Sequence, residues 1–215
     1  MESRPHKVKL YYIAGELYDW VTDPRALEKI FHTSRAKAAA KILNRVGKSS
    51  LAIDVGCGTG LITRSIRAKT VLGLDINRWN LERAKKRLPH ADFVQCDSDQ
   101  LPLRENLADL AVCTEILEHL YSPARTLSEI ARVMKEDAKL VGSVPSQNPV
   151  WRLRNLLSVT HPKSEPFHNN FTRGQFTALL STAFSKKKVF YDNYFMTIFF
   201  IAENPIRGPH PSSRQ

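Results

Sequence analysis

Three groups of residues in this 215-residue chain have the types and spacing to do chemistry. The first is Asp54-Val55-Gly56-Cys57-Gly58-Thr59-Gly60, which follows the apolar run Leu51-Ala52-Ile53. Glycines alternating at the exit of a strand allow a tight turn and let backbone N–H groups approach a ligand with no Cβ in the way. The second is Asp75, nineteen residues past Gly56 at the end of the next apolar run. A carboxylate at that spacing is placed to accept from ribose hydroxyls. The third is Glu115-Ile116-Leu117-Glu118-His119. On one helical turn, offsets 0, 3 and 4 bring both carboxylates and the imidazole to the same face.

The glycine spacing separates two ligand chemistries. A nicotinamide or flavin fingerprint, G-x-G-x-x-G/A, requires a small residue at position 61, and this chain has Leu61. The pattern is instead G-x-G-x-G with Asp54 ahead of it. A carboxylate at a strand end suits a cationic ammonium or sulfonium and opposes a pyrophosphate.

Elements that would position these groups follow from the hydrophobic pattern. Short apolar runs at Leu51–Val55, Val71–Leu74, Phe93–Gln95, Leu110–Thr114 and Lys139–Val144 alternate with helical patterns at 60–68, 78–88 and 123–135. Such alternation predicts βαβ units and a parallel sheet. The near-continuous apolar strands imply a sheet covered on both faces. Ahead of them, residues 24–46 read as an N-terminal helix closed by Gly47.

Beyond Pro145 the composition changes. Residues 146–171 are rich in Pro, Asn, Ser and His, and contain one amphipathic piece, Trp151-Arg152-Leu153-Arg154-Asn155-Leu156-Leu157. These read as a cap insertion. Thr172 and Gln175 have capping-box spacing for a helix start, and runs at 187–192 and 195–202 read as an antiparallel pair. The expected organisation is a single domain over 1–205, with a disordered, Pro- and Gly-containing tail at 206–215.

Composition bounds the partners. Apolar residues make up 42% and charged residues 25%, ordinary for a soluble globular protein. No apolar leader is visible at the N-terminus, and the longest apolar run, Tyr194–Ala202, is too short to span a bilayer. The three cysteines, Cys57, Cys96 and Cys113, lack zinc-ligand spacing and fit a reduced, cytoplasmic setting. The net charge of +11 divides as +5 over residues 1–50, zero over 51–150 and +6 over 151–215. That distribution directs the chain ends toward an anionic partner: RNA, phospholipid headgroups or an anionic metabolite. For any single lysine, solvated surface is the better explanation.

Taken together, Asp54-x-Gly56-x-Gly58-x-Gly60 resembles motif I of class I S-adenosylmethionine-dependent methyltransferases, and Gly73-Leu74-Asp75 resembles their second motif. Phe93 to Leu103, with Asp97-Ser98, is similar to the segment that reads the adenine. Ala108 to Glu115 and Asp137 to Pro145 resemble the fourth and fifth strands. The likeness covers residues 48–145 closely and 168–202 more loosely, and is nearest to the ubiquinone/menaquinone type. It implies a Rossmann-like α/β fold, with a seven-stranded, mostly parallel sheet of order 3-2-1-4-5-7-6, helices on both faces and an antiparallel last strand.

For the cofactor, the resemblance implies that Gly56, Gly58 and Gly60 hug the methionyl part, with Cys57 packed between them. Asp54 would orient the amino group, Asp75 the ribose, Ile76 would flank the adenine, and Asp97 with Ser98 would read its edge. Thr114, at the end of the fourth strand, falls beside the transferred methyl.

The acceptor is less constrained. An oxygen nucleophile needs a base, and His119 and His168 are the candidates because imidazole titrates near neutral pH. The Glu115-x-x-Glu118-His119 stretch is similar to one that can hold a divalent ion in quinone and small-RNA O-methyltransferases. Members that bind no metal carry the same stretch, and none is assigned here. The fourth strand ends in Cys113-Thr114-Glu115-Ile116 rather than Asn/Asp-Pro-Pro-aromatic, which argues against exocyclic methylation of bases. The expected activity is methyl transfer to a small-molecule or lipid-like acceptor at oxygen. RNA as acceptor, with Lys186-Lys187-Lys188 on its phosphates, peripheral membrane contact through the Trp151–Leu157 piece, and a non-catalytic cofactor-binding subunit are the alternatives.

Overall fold

A computed structural model of the chain describes residues 9–13, 26–146, 168–169, 171–192 and 195–206. The expected Trp151–Leu157 piece, most of the 146–171 insertion and the tail beyond Ile206 lie outside these residues. Helix α1 is Ala26–Val46, followed by β1 (Ser49–Val55), β2 (Ala68–Asp75), α2 (Arg78–Arg87), β3 (Asp92–Gln95), β4 (Ala108–Thr114), α3 (Pro123–Val133) and β5 (Met134–Pro145). Helix α4 (Arg173–Leu180) and the strands β6 (Phe184–Asp192) and β7 (Thr197–Pro205) complete the order. Residues 9–13 are helical.

Seven strands form one sheet in the order β3-β2-β1-β4-β5-β7-β6. The pairings among β1 to β5 are parallel, and β7 runs antiparallel to both β5 and β6. This is the Rossmann-like sheet that the motif order implied.

Strand composition explains why both faces are covered. Successive side chains point to opposite faces, and here the apolar residues are continuous. Ile53, Ala111, Leu140 and Phe200 pack on one side with Leu127 and Ile130 of α3 and Phe176 and Leu180 of α4. Their neighbours Ala52, Leu110, Val112, Val141 and Phe199 pack on the other with Ala39, Ile42 and Leu43 of α1. The carboxyl ends of β1, β2 and β4 therefore emerge together at one edge, between two helical layers.

Two local expectations need correction. No α-helix occupies 60–68. That stretch holds only a 3₁₀ turn, Thr63–Ser65, which Ile66 ends in an extended conformation. Strand β2 begins at Ala68, paired with Ser49, three residues earlier than the apolar run suggested, and leaves no length for a helix. Nor does a helical turn carry Glu115, Glu118 and His119. Glu115 takes a left-handed φ of 54°, and the 3₁₀ turn starts only at Leu117.

The capping box ahead of α4 is present. Gln175 N–H donates to the Thr172 hydroxyl, while the Thr172 backbone N–H donates to Gln175 Oε1. The lysines of β6 have partners along the sheet surface, with Lys186 and Lys188 exposed. Lys186 pairs with Glu203, Lys187 Nζ donates to the Phe184 carbonyl at 3.4 Å, and Lys188 lies 5.9 Å from the Phe190 ring centroid.

Candidate active site

The site begins where β1 turns. Gly56 and Gly58 have φ of +73° and +52°, conformations that side chains rarely adopt. A Cβ on Gly56 would strike Ile116, at 2.5 Å from Cδ1, whereas a Cβ on Gly58 would meet nothing within 4 Å. The first glycine lets β1 pack under the end of β4. The second lines open space, as a ligand cradle should.

Asp54, the last polar residue of β1, is only 1% exposed. Its Oδ2 accepts from Thr63 Oγ1 at 2.6 Å, and its Oδ1, equally buried, has no hydrogen-bond partner. Burial pushes the carboxyl pKa up to about 7, against the Thr63 hydrogen bond and with help from nearby Asp75. A buried acceptor with one oxygen unused is costly unless a donor arrives. The 3₁₀ turn that replaces the expected helix at 60–68 is what brings Thr63 to this carboxylate.

Asp75 ends β2 and ties the loops together. Its Oδ2 accepts from Gly58 N–H at 2.7 Å and its Oδ1 from Asn77 N–H at 2.8 Å. Burial raises its pKa, and those backbone donors restrain the rise. Ile76 follows, with its carbonyl accepting from Gln95 Nε2, and Asn77 caps α2 through the Asn80 N–H. Cys57 lies between the glycines, 7% exposed, its thiol pKa raised chiefly by burial. It stays protonated and inert as a nucleophile.

Beyond β3, Asp97 and Asp99 both face Lys9, whose Nζ lies 2.5 and 3.0 Å from their carboxylates. The Ser98 hydroxyl is buried against Thr126 Oγ1 of α3 at 3.2 Å. Residues 9–13 thus lie over the exits of the first strands. Asn77 Nδ2 donates to the Tyr12 carbonyl at 2.8 Å, and the Tyr12 hydroxyl reaches His119 Nδ1 at 2.9 Å.

At the exit of β4 the structure separates the Glu115-x-x-Glu118-His119 group. Thr114 pairs in register with Ser143 of β5. Glu115 turns toward α1, where Arg35 NH1 donates to it at 2.6 Å and Ser143 Oγ at 2.7 Å. Glu118 is 1% exposed, and His119 Nε2 lies 3.7 Å from its Oε1. His168 approaches from the segment before α4, its ring edge-on to His119 at 5.3 Å between centroids. Its neighbour Asn169 is anchored by donating its backbone N–H to the Glu118 carbonyl at 2.6 Å and Nδ2 to the Leu120 carbonyl at 2.7 Å.

The two histidines, 49 positions apart, therefore meet, while Glu115 and Glu118 diverge. Among the described residues, no group of three His, Cys, Asp or Glu side chains converges on one metal position.

Several residues of this site gave no sign in the sequence. Lys9, Tyr12 and Arg35 reach it only through tertiary placement, and Ser143 looks like any small residue in a buried strand. Thr63 lay inside a stretch read as helix, whose spacing hid its role.

Residues 53–142 match the family model described as a methyltransferase domain. The chain is similar to demethylmenaquinone methyltransferase of Paenarthrobacter aurescens, 27% identical over 71% of this chain and 61% of that protein. It is also similar to ubiquinone biosynthesis O-methyltransferase of Saccharophagus degradans, 26% identical over 56% of each. Against curated relatives it spans between 35% and 64% of their length. Among solved structures, the magnesium protoporphyrin IX methyltransferase of Synechocystis with bound S-adenosylhomocysteine superposes with a TM-score of 0.65. That match covers 94% of this chain and 100% of the other at 15% identity, and shows a common fold.

Proposed function

Residues 53–142 match the methyltransferase-domain family model, and from that premise we propose that the chain is a class I S-adenosylmethionine-dependent methyltransferase that methylates a small-molecule or lipid-like acceptor at oxygen. The observation that carries the reading is Asp54, a buried carboxylate beside the glycine turn with one oxygen hydrogen-bonded and the other unused. An ammonium is the donor this atom lacks. The donor set fits the cofactor elsewhere as well. Asp75, held by Gly58 and Asn77, takes the ribose diol, Ile76 flanks the adenine, and Asp97 with Ser98 receives its edge. The open space beside Gly58 admits the methionyl chain, which Gly56 and Gly60 border, and Thr114 lines the end near the reacting methyl. The cofactor supplies an electrophilic methyl carbon on a sulfonium.

The protein's part is to orient the acceptor in line with that carbon and to take its proton. Positioning supplies most of such a displacement. An acceptor hydroxyl also needs a base, and His119 and His168 meet at the exit of β4, where one would be used. The similar quinone O-methyltransferase supports an oxygen acceptor. No described helix is long and apolar enough to cross a membrane.

Calorimetric titration tests this reading, with S-adenosylmethionine and S-adenosylhomocysteine as ligands and NAD as control. Micromolar binding of a sulfur ligand without NAD binding is the expected result; failure of both sulfur ligands to bind would remove the catalytic reading. Asp75→Ala is expected to weaken binding by about 1–3 kcal/mol, the cost of losing a charged hydrogen bond. An unchanged affinity would show that Asp75 serves only the loop.

A further inference from the structure

Tyr12 has no assigned part in the chemistry above, yet its hydroxyl sits on the imidazole proposed as base. We infer that Tyr12 orients His119 and relays the acceptor's proton to its Nδ1. The inference rests on the methyltransfer reading but is carried by separate geometry.

Groups from three described segments face the His119 ring. From residues 9–13, Tyr12 Oη lies 2.9 Å from Nδ1. From its own turn, Glu118 Oε1 lies 3.7 Å from Nε2. From the segment before α4, His168 meets the ring edge-on at 5.3 Å between centroids. Glu118 is 1% exposed, so its carboxylate acts through a poorly screened medium. A neutral imidazole with Glu118 Oε1 as the oxygen facing Nε2 keeps its proton on that nitrogen. That leaves Nδ1 as the acceptor nitrogen and makes the tyrosine hydroxyl its donor. The ring is thus held in one tautomer from both ends, as an orienting group holds a catalytic histidine elsewhere.

The proton balance follows. The acceptor oxygen forms a bond to the methyl carbon, and the carbon–sulfur pair leaves with the sulfur as a neutral sulfide. The hydroxyl proton passes to Tyr12 Oη as the tyrosine's own proton moves to His119 Nδ1. One positive charge is lost at sulfur and one appears on the imidazolium, beside Glu118. Tyr12 also donates its position. Its carbonyl is held by Asn77, the residue that caps α2 and donates to Asp75, and Lys9 of the same segment pairs with Asp97. The residue that orients the base is therefore tied to the carboxylates proposed to hold the ribose and the adenine.

The test needs no acceptor. In the full chain labelled with ¹⁵N-histidine, the neutral His119 ring should appear as the Nε2–H tautomer, with an Nδ1 resonance displaced by an accepted hydrogen bond. Tyr12→Phe should abolish that displacement and leave the His168 resonances in place. Phenylalanine keeps the ring contacts with Tyr11 and His119, so a purely structural role would survive the substitution. Glu118→Gln should let the Nδ1–H tautomer appear. An Nδ1–H tautomer in the unmodified protein, or an Nδ1 resonance indifferent to Tyr12→Phe, would overturn the inference. Titration of the same samples with S-adenosylhomocysteine separates the two readings. Loss of ligand binding in the unmodified protein would strike the cofactor reading, while the tautomer result would stand on its own.

Discussion

Asp54→Asn is expected to raise stability above neutral pH and to cut cofactor affinity severely in the same protein. The buried carboxyl titrates at about 7 in the folded chain, against roughly 3.9 for an unperturbed aspartate. Its folded pKa lies above the unfolded one, so the folded state holds a proton that the unfolded chain has released. Below about pH 4 both states are protonated and nothing is lost. As pH rises from 4 to 7 the unfolded chain is progressively favoured, and above 7 the full cost of an ionised buried carboxylate is present. Three pKa units correspond to at most on the order of 4 kcal/mol.

Asparagine removes that ionisation and still accepts from Thr63 through its side-chain oxygen. At pH 8 the melting temperature should rise by about 2–4 °C for each kcal/mol recovered, in a chain of this size. At pH 4 the variant should melt with the parent. Cofactor affinity should fall by about 2–5 kcal/mol, the cost of removing one partner of a buried charge pair. The unmodified protein should bind S-adenosylmethionine more weakly as pH drops below 7, because the carboxylate must first lose its proton. Equal stability of parent and variant at pH 8 would mean that the carboxyl is ionised without penalty. Unaffected binding would place the ligand's ammonium elsewhere.

Opposite signs on stability and binding are what a functional site predicts. A group held in an environment that penalises its working charge state is retained for the ligand, not for the fold. Asp54 could be selected from sequence because the strand, the turn and the glycines surrounding it are contiguous. The position of Asp75 at the end of β2, beside the glycine turn, was legible for the same reason, being fixed by a spacing within one βαβ unit. The strand order followed from motifs in sequence order together with near-continuous apolar strands.

What the sequence withheld depended on distant partners or on single torsions. Lys9 on Asp97 and Tyr12 on His119 join residues about a hundred positions apart, and no local pattern marks either pair. The three-residue face of Glu115, Glu118 and His119 assumed helical backbone at a position where φ is +54°. One left-handed residue sent Glu115 to α1 and left Glu118 in the core. The helix expected at 60–68 failed because strand pairing between Ser49 and Ala68 took precedence over helical spacing. Local propensity gives way to tertiary pairing in such short segments.

That left-handed residue leads to the other large effect, in Arg35→Ala. Glu115 holds an unfavourable backbone conformation for a residue with a side chain, a cost of order 1–3 kcal/mol that the surroundings must offset. Three contacts do so. Its N–H donates to the Ser143 carbonyl at 2.9 Å, Ser143 Oγ donates to one carboxylate oxygen at 2.7 Å, and Arg35 donates to the other at 2.6 Å. The ion-pair side chains are only 15% and 14% exposed, so water replaces the guanidinium poorly.

Breaking a buried pair from one side costs about 3–5 kcal/mol when burial is complete. The residual exposure here places the expected loss near the lower end, about 3 kcal/mol, or a melting temperature lower by about 6–12 °C. Adding Glu115→Gln should restore most of that loss, because a neutral amide can be left with Ser143 alone. The resulting double-mutant cycle isolates the pair from the packing of the arginine stem. A loss below 1 kcal/mol in Arg35→Ala would show that the sheet alone holds the turn through Ser143. A full loss with recovery in the double variant would show that α1 holds the end of β4 electrostatically, at the place where Thr114 is proposed to border the reacting methyl. Arg35 would then set the geometry of the acceptor side from α1.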